Sequence, residues 1–243
     1  AIPADVSTKK AGKTPFKKED FLKAVQDDAF IEKMVAKYPK LLANLPSKDS
    51  GVRYRLEGYL FPATYNYGKD TTVKEMIDQM LAAMDQNLSP YYETLESKNI
   101  NVNEVLTLAS LVEKEGATDQ DRKDIASVFY NRLNQDMPLQ SNIAILYAEG
   151  KLGQKTTLKE DATIDTELDS PYNIYKNTGL MPGPVDNPGV SAIEAAVNPS
   201  KTDYLYFVAN VENGEVFFAK TYEEHNKNVE EHVNSKLTQA SSN

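Results

Sequence analysis

The sequence predicts an α+β domain that is mainly helical and carries one small β-hairpin. Two observations lead there. Capping signals followed by apolar residues at three- and four-residue steps recur along the middle of the chain, from Thr72 and again from Thr118, with a strongly apolar helical stretch between them. Towards the end, Tyr204 to Ala209 and Glu215 to Phe218 are β-prone runs joined through Asn213-Gly214, a hairpin signal. The chain has 243 residues, of which 40% are apolar. That is enough to close a core in one large domain or in a main domain with a small appendage.

The first stretch, to about Leu45, is Lys-rich and then helical. Phe21, Leu22, Val25, Ile31, Met34 and Val35 form a partial stripe that ends near Pro39. Residues 46–51 (PSKDSG) are a polar breaker cluster and the candidate boundary, so that 1–50 is a helical appendage and 51–243 the main domain. The run VRYRLEGYLFPATYNY reads as a strand and an irregular turn of low helical content. Thr72 and Glu75 make a capping box, and behind it Met76, Ile77, Met80, Leu81 and Met84 mark an amphipathic helix whose methionines fill core space.

In NVNEVLTLASLVEKEG, residues Val102, Val105, Leu106, Leu108, Ala109, Leu111 and Val112 cover most of a helical circumference. Only Asn103, Thr107, Ser110 and Lys114 remain as a narrow polar strip, so this helix is expected to be buried. It runs into Glu113 and Glu115, and Gly116 is placed to stop it as a C′ residue. A second helix opens at Thr118 to Asp121 and gathers Ile125, Val128, Phe129, Arg132 and Leu133 on one face. Residues 139–169 are mixed, with a short helix around Ile143 to Tyr147 and a polar connection.

The segment SPYNIYKNTGLMPGPVDNPG, residues 170–189, holds four prolines and three glycines without periodicity. Structureless loops of this length inside compact domains are usually functional or disordered, and its Tyr172, Ile174, Tyr175, Leu180 and Met181 argue against disorder. A short Ala-rich helix from Ser191 to Val197, the hairpin, and a charged helix from Thr221 complete the chain.

Lys and Arg total 27 against 36 Asp and Glu, a formal charge of −9. That balance repels a phosphate backbone and speaks against nucleic acid as a partner. No apolar run approaches a membrane span, so any membrane contact is expected through an anchor outside this chain. The start has no signal-peptide pattern and reads as a processed or cut-off end. Cysteine is absent, which removes thiol nucleophiles, disulfides and Cys-ligated metals. Phosphate-loop and nucleophile-elbow motifs are missing too. His225 and His232 lie seven apart on a charged helix without a third ligand, so neither metal nor cofactor is expected.

Chemistry therefore concentrates on the carboxylates that end the buried helix. The exposed carbonyls of a helix C-terminus, and apolar surroundings, both disfavour an ionised carboxylate. A nearby second acid adds repulsion, with Lys114 offsetting part of it. Such a glutamate can stay protonated near neutrality and act as a general acid; the alternative is two solvated glutamates at a frayed end. Spacing does not choose between Glu113, beside Leu106 and Ala109 on the wheel, and Glu115, between Leu108 and Leu111. Glu57 in LEGYLFP is open to two readings, a second acid or a buried structural carboxylate paired with Arg53 or Arg55. Tyrosines in the irregular regions, Tyr59, Tyr65, Tyr67, Tyr172 and Tyr175, suit sugar faces as well as ordinary packing.

Taken in order, LEGYLFPATY (56–65), LASLVEKEG (108–116), ASVFYNRL (126–133), MPLQSN (137–142), the 170–189 loop, AAVNPSKTDYLYFVA (195–209) and HNKNV (225–229) closely resemble the endolytic murein transglycosylases, the MltG or YceG-like family. The resemblance spans roughly residues 51–235. It implies an extracytoplasmic domain of a single-pass protein of the bacterial cell membrane, preceded by a LysM-like region of which the helices before Leu45 would be a remnant. It further implies peptidoglycan glycan strands as substrate, and cell-wall synthases and elongation or division proteins as partners.

By the same resemblance the second Glu of the VEKE motif, Glu115, is the single catalytic acid/base. It would cleave the bond between N-acetylmuramic acid and N-acetylglucosamine inside nascent strands to leave a 1,6-anhydromuramyl end. The expected cleft is walled by the 170–189 loop and the Glu57 segment. Glu57, Gln140, Ser141, Asn142, Tyr172 and Asn173 are the candidate substrate contacts. One departure stands out: the family usually carries an Asp, followed by Pro-Thr-Val, where this chain reads Asn142-Ile143-Ala144-Ile145, and a neutral amide cannot supply that charge. The competing functional readings are a lysozyme-type muramidase using Glu115, Glu57 and a water, and a noncatalytic scaffold that grips glycan.

Overall fold

A computed structural model of the chain describes residues 17–154, 164–210 and 213–235. The Lys-rich start, part of the expected polar connection, residues 211–212 of the hairpin connection and the last eight residues lie outside the described residues.

The N-terminal stripe is two helices, α1 (Lys18–Ala24) and α2 (Asp28–Lys37). Asp27 separates them by accepting a hydrogen bond from Phe30 N at 3.1 Å, an N-cap that starts α2 afresh. Their apolar residues Phe21, Val25, Phe30, Ile31 and Met34 belong to the same buried cluster as Met76, Ile77 and Met80 of α3 (Val73–Leu88). On the same side, the Tyr38 hydroxyl donates to the Asp78 carboxylate at 2.7 Å. The capping box of α3 forms as expected, with Thr72 N on Glu75 at 2.7 Å and Glu75 N on the Thr72 hydroxyl at 3.2 Å. The methionines are core, with Met76, Met80 and Met84 all buried. A short helix that the sequence pattern did not reveal, α4 (Tyr92–Ser97), follows.

The run from Val52 to Tyr67 contains no strand, against expectation. Its backbone closes local turns, Glu57 N on Tyr54 O and Tyr59 N on Leu56 O, and among the described residues no neighbouring strand offers a ladder. β-branched and aromatic residues mark a half-buried surface as readily as a strand, and here they pack around turns.

At the centre is α5 (Val102–Glu115), with its predicted apolar positions all buried. Full burial of each Leu or Val side chain is worth about 1.5–3 kcal/mol, so this helix is a principal source of cohesion. α6 (Asp119–Leu133) turns back from it, α7 (Asn142–Ala148) is short, and α8 (Val190–Val197) packs on both α5 and α6. The antiparallel pair β1 (Tyr206–Ala209) and β2 (Val216–Ala219) sets Tyr206 opposite Ala219 and Ala209 opposite Val216. α9 (Tyr222–Val229) packs on both strands.

Gly116 ends α5 for a reason other than the expected one. Its φ is −98°, not left-handed, so conformational freedom is not what the position requires. A Cβ there would sit 2.6 Å from Arg122 Cγ, so the missing side chain lets α6 approach the end of α5.

The polar strip of α5 is the seat of the proline-rich loop. Asn103 Nδ2 donates to Pro182 O at 3.1 Å, the Ser110 hydroxyl accepts from Val185 N at 3.0 Å, and Lys114 pairs with Asp186 at 2.5 Å. Asn187 then accepts from Gly58 N at 2.9 Å and Leu60 N at 3.3 Å, tying the loop to the 56–60 turns. A periodic line of polar side chains on an otherwise apolar helix thus holds an aperiodic segment in one shape, satisfying backbone donors that have no secondary structure to serve them.

Candidate active site

Glu115 is the last residue of α5, so a buried, close-packed helix fixes where its side chain starts. The residue keeps partial exposure, and Ser141 Oγ donates to its Oε1 at 2.7 Å. Ser141 is itself 3% exposed and is the N-cap of α7, where its oxygen accepts from Ile143 N at 3.2 Å. That acceptance turns the hydroxyl proton towards Glu115. Desolvation pushes the Glu115 carboxyl up from the ordinary carboxylate range, and the Ser141 hydrogen bond partly opposes the rise. A carboxyl whose neutral form is favoured by desolvation, and whose ionised form is offered a donor, has what an acid that later turns base requires.

The neighbouring charges have other duties. Glu113 Oε2 accepts from Gly189 N at 3.0 Å at the start of α8, and its Oε1 lies 3.7 Å from the Arg122 guanidinium. Lys114 turns to Asp186 rather than between the two glutamates, so it does not offset their repulsion as expected. The choice left open by helical spacing has a spatial answer: Glu113 fastens α8, and Glu115 faces α7.

Around Glu115 the chain gathers Gln140, Asn142 and Tyr175. The Tyr175 hydroxyl donates to Asn142 Oδ1, and burial pushes that phenol up to about 12, with the nearby Glu115 charge adding to the rise. Gln140 is exposed, with a left-handed φ of +56°. Its backbone N donates to Ile174 O at 3.0 Å, and its side-chain carbonyl accepts from Arg132 Nη1 at 3.1 Å. Gln140, Ser141 and Asn142 therefore lie together beside Glu115.

The remaining candidates lie elsewhere. Glu57 is 2% exposed and accepts from the Tyr147 hydroxyl at the far end of α7. Desolvation, opposed in part by that bond and by Arg53, leaves its carboxyl above the usual range. The Arg53 guanidinium stacks over the Tyr147 ring at 4.7 Å, and the Tyr172 ring packs tilted against the same Tyr147 ring, 4.8 Å between centroids. Tyr172 is buried with its hydroxyl turned inward. Asn173, 1% exposed, donates to Thr166 O and Leu168 O and accepts from Tyr175 N. These bonds shape the loop from within, and Glu57, Tyr172 and Asn173 are all buried. His225 and His232 stack on Tyr206 and Phe217, at 5.3 and 3.6 Å between centroids. Among the described residues, no group of His, Asp and Glu suited to a metal ion occurs.

Two residues of this neighbourhood were not singled out from sequence as contacts: Tyr175, visible only as one more loop tyrosine, and Arg132. A cation on the apolar face of α6 was the available signal for the latter, since a charge is seldom buried without partners.

The model of the YceG-like family matches residues 6–231. An endolytic murein transglycosylase of Streptococcus pneumoniae serotype 2 (strain D39) is 67% identical over 219 residues, covering 90% of this chain and 40% of that protein. One of Bacillus subtilis (strain 168) is 43% identical over 227 residues, covering 93% of this chain and 61% of that protein. The chain thus spans 40% and 61% of these two curated relatives, less than two thirds of either. A crystal structure of a YceG-like protein from Listeria monocytogenes superposes with a TM-score of 0.80 at 44% identity, covering 93% of this chain and 71% of that one. With a family match over nearly its whole length and relatives this similar, the chain belongs to the YceG-like family.

Proposed function

We propose that this chain is the catalytic region of an endolytic murein transglycosylase, with Glu115 as its single acid/base. The observation that carries the reading is the desolvated Glu115 carboxyl met by a hydroxyl whose proton is directed at it. The names of the relatives supply the substrate class. Protonated Glu115 gives its proton to the glycosidic oxygen as the bond from muramyl C1 to that oxygen breaks. The muramyl C6 hydroxyl attacks C1 and its proton passes to the Glu115 carboxylate, which restores the acid. No water is consumed, and the new end is a 1,6-anhydro sugar. Because the nucleophile belongs to the substrate, one carboxyl suffices, unlike the paired carboxylates of ordinary glycosidases. The burial of Glu57 against Tyr147 favours this single-acid scheme over a muramidase that would need Glu57 beside a water.

Such a substrate lies outside the cytoplasmic membrane. We therefore place the domain on the extracytoplasmic face, held at the membrane by a single-pass anchor and working beside cell-wall synthases. Among the described residues no helix is long and apolar enough to cross a membrane.

The test is digestion of uncrosslinked glycan with the wild type and Glu115→Gln, read by mass spectrometry. Internal cleavage should give ends lighter by one water than reducing ends, and the variant should lose roughly 10²- to 10⁴-fold in rate, the usual worth of a positioned acid/base. Reducing ends would instead indicate a hydrolase. Equal strand lengths with both proteins would indicate a scaffold.

A further inference from the structure

We propose that Arg132 is a positioning residue for the acid/base carboxyl, because its guanidinium locks the 138–140 turn that aims Ser141 at Glu115. The inference rests on the functional reading above only for the name of the reaction; the geometry stands by itself.

Arg132 is 6% exposed. Its Nε donates to Leu205 O at 2.6 Å, just ahead of β1. Nη1 reaches Pro138 O at 2.9 Å, Leu139 O at 3.2 Å and Gln140 Oε1 at 3.1 Å. The Tyr206 ring covers the guanidinium at 5.0 Å. One buried fork thus ties α6 and the start of the hairpin to three consecutive residues, and the next residue is Ser141.

That turn does not hold its shape unaided. Gln140 occupies the left-handed region at φ +56°, which is disfavoured for a residue with a side chain. Strained positions persist when their surroundings over-determine them. Here two contacts do so, Arg132 on the side chain and Ile174 O on the backbone N. Released from the first, Gln140 would relax and Ser141 would swing, since the peptide that follows Gln140 carries the N-cap. A lysine cannot substitute, because its donors radiate from one atom and cannot span Leu205 O and the 138–140 acceptors together.

The readout is the titration of Glu115 itself, followed by carbon NMR of the side-chain carboxyl in glutamate-labelled protein, with Glu115→Gln assigning the resonance. Other charged groups near the end of α5 are accounted for: Lys114 is turned to Asp186, Glu113 to Gly189 N and Arg122, and Tyr175 is bonded to Asn142. Arg132→Lys keeps the positive charge and loses the fork, so any change reports geometry rather than field.

The expected result is an upward shift of the Glu115 midpoint in Arg132→Lys, in the direction produced by Ser141→Ala. Combining the two should add nothing, because Arg132 reaches the carboxyl only through the hydroxyl. Gln140→Met removes one acceptor at an exposed residue and leaves the three carbonyl acceptors of Arg132 in place. It should give a smaller shift of the same sign, again absent in the Ser141→Ala background, and it decides the matter if Arg132→Lys does not fold.

On glycan, Arg132→Lys should lower kcat by roughly 10- to 100-fold with KM within about twofold, as expected for a misplaced catalytic group. An unmoved midpoint, or shifts that add to that of Ser141→Ala, would overturn the proposal even with glycan cleavage intact. Loss of all glycan cleavage in the wild type would sink the functional reading and leave the titration result standing.

Discussion

Gly58 and Gly179 share a φ of +86° but differ in surroundings, and alanine at each separates two costs that are usually confounded. At Gly179 nothing lies within 4 Å of an added Cβ, so Gly179→Ala carries the backbone penalty alone, about 1–2 kcal/mol. At Gly58 the same Cβ would fall 2.2 Å from Pro184 Cγ and 2.3 Å from Pro184 Cβ. Pro184 is a buried ring in the loop seated on α5 and cannot swing aside. Overpacking of this kind adds about 1–3 kcal/mol, so Gly58→Ala should cost about 2–5 kcal/mol in all. Gly116→Ala supplies the third corner, with an ordinary φ of −98° and a Cβ 2.6 Å from Arg122 Cγ. It should show overpacking without the conformational cost. Urea unfolding measures all three, and in a chain of this size each kcal/mol corresponds to about 2–4 °C in Tm. If Gly58→Ala and Gly179→Ala were destabilised equally, the 182–187 loop would not be pressed on the 56–60 turns as described.

Three further outcomes are expected. Ser141→Ala removes the donor that lowers the Glu115 pKa; the carboxyl then stays protonated to higher pH, and the alkaline limb of the kcat/KM profile should move up while kcat falls. Glu113→Gln loses its ion pair with Arg122 but can still accept from Gly189 N, so it should retain most activity and change Tm by only a few degrees, in contrast to Glu115→Gln. Glu57 has a folded pKa raised above its unfolded value, first by desolvation. Its contribution is therefore full below the unfolded pKa and lost as pH rises through the folded one. Glu57→Gln, which can still accept from Tyr147, should flatten stability against pH above that lower limit, and an unchanged slope in urea titrations across pH would refute the assignment.

What could be read in advance divides along physical lines. α3, α5, α6 and the hairpin were legible because local signals and burial agree: a capping box announces the start, and 3.6-residue periodicity carries the rest. The run 52–67 misled because the same residue types serve strands and packed turns, and only the partner decides. The strip Asn103, Thr107, Ser110 and Lys114 was visible as polar positions on a buried helix, but not that the partners of Asn103, Ser110 and Lys114 lie about 75 residues onward in a loop without pattern.

The site follows the same division. Glu113 and Glu115 both stood out because they end a buried helix, and only the family resemblance chose Glu115; the partners of Glu113, Gly189 N and Arg122, became visible only in the structure. Arg132 was legible as a cation on an apolar face and no further, since three of its four acceptors are backbone carbonyls, which every sequence has and none advertises. The consequence runs against reading sites by residue type alone. The groups nearest the proposed chemistry are a carboxyl and a hydroxyl of ordinary kind, and on the proposal above what makes them a pair is a turn held in a strained shape by an arginine that touches neither. A change at Leu205, Tyr206 or Gln140 can therefore reach Glu115 without altering any residue that contacts it.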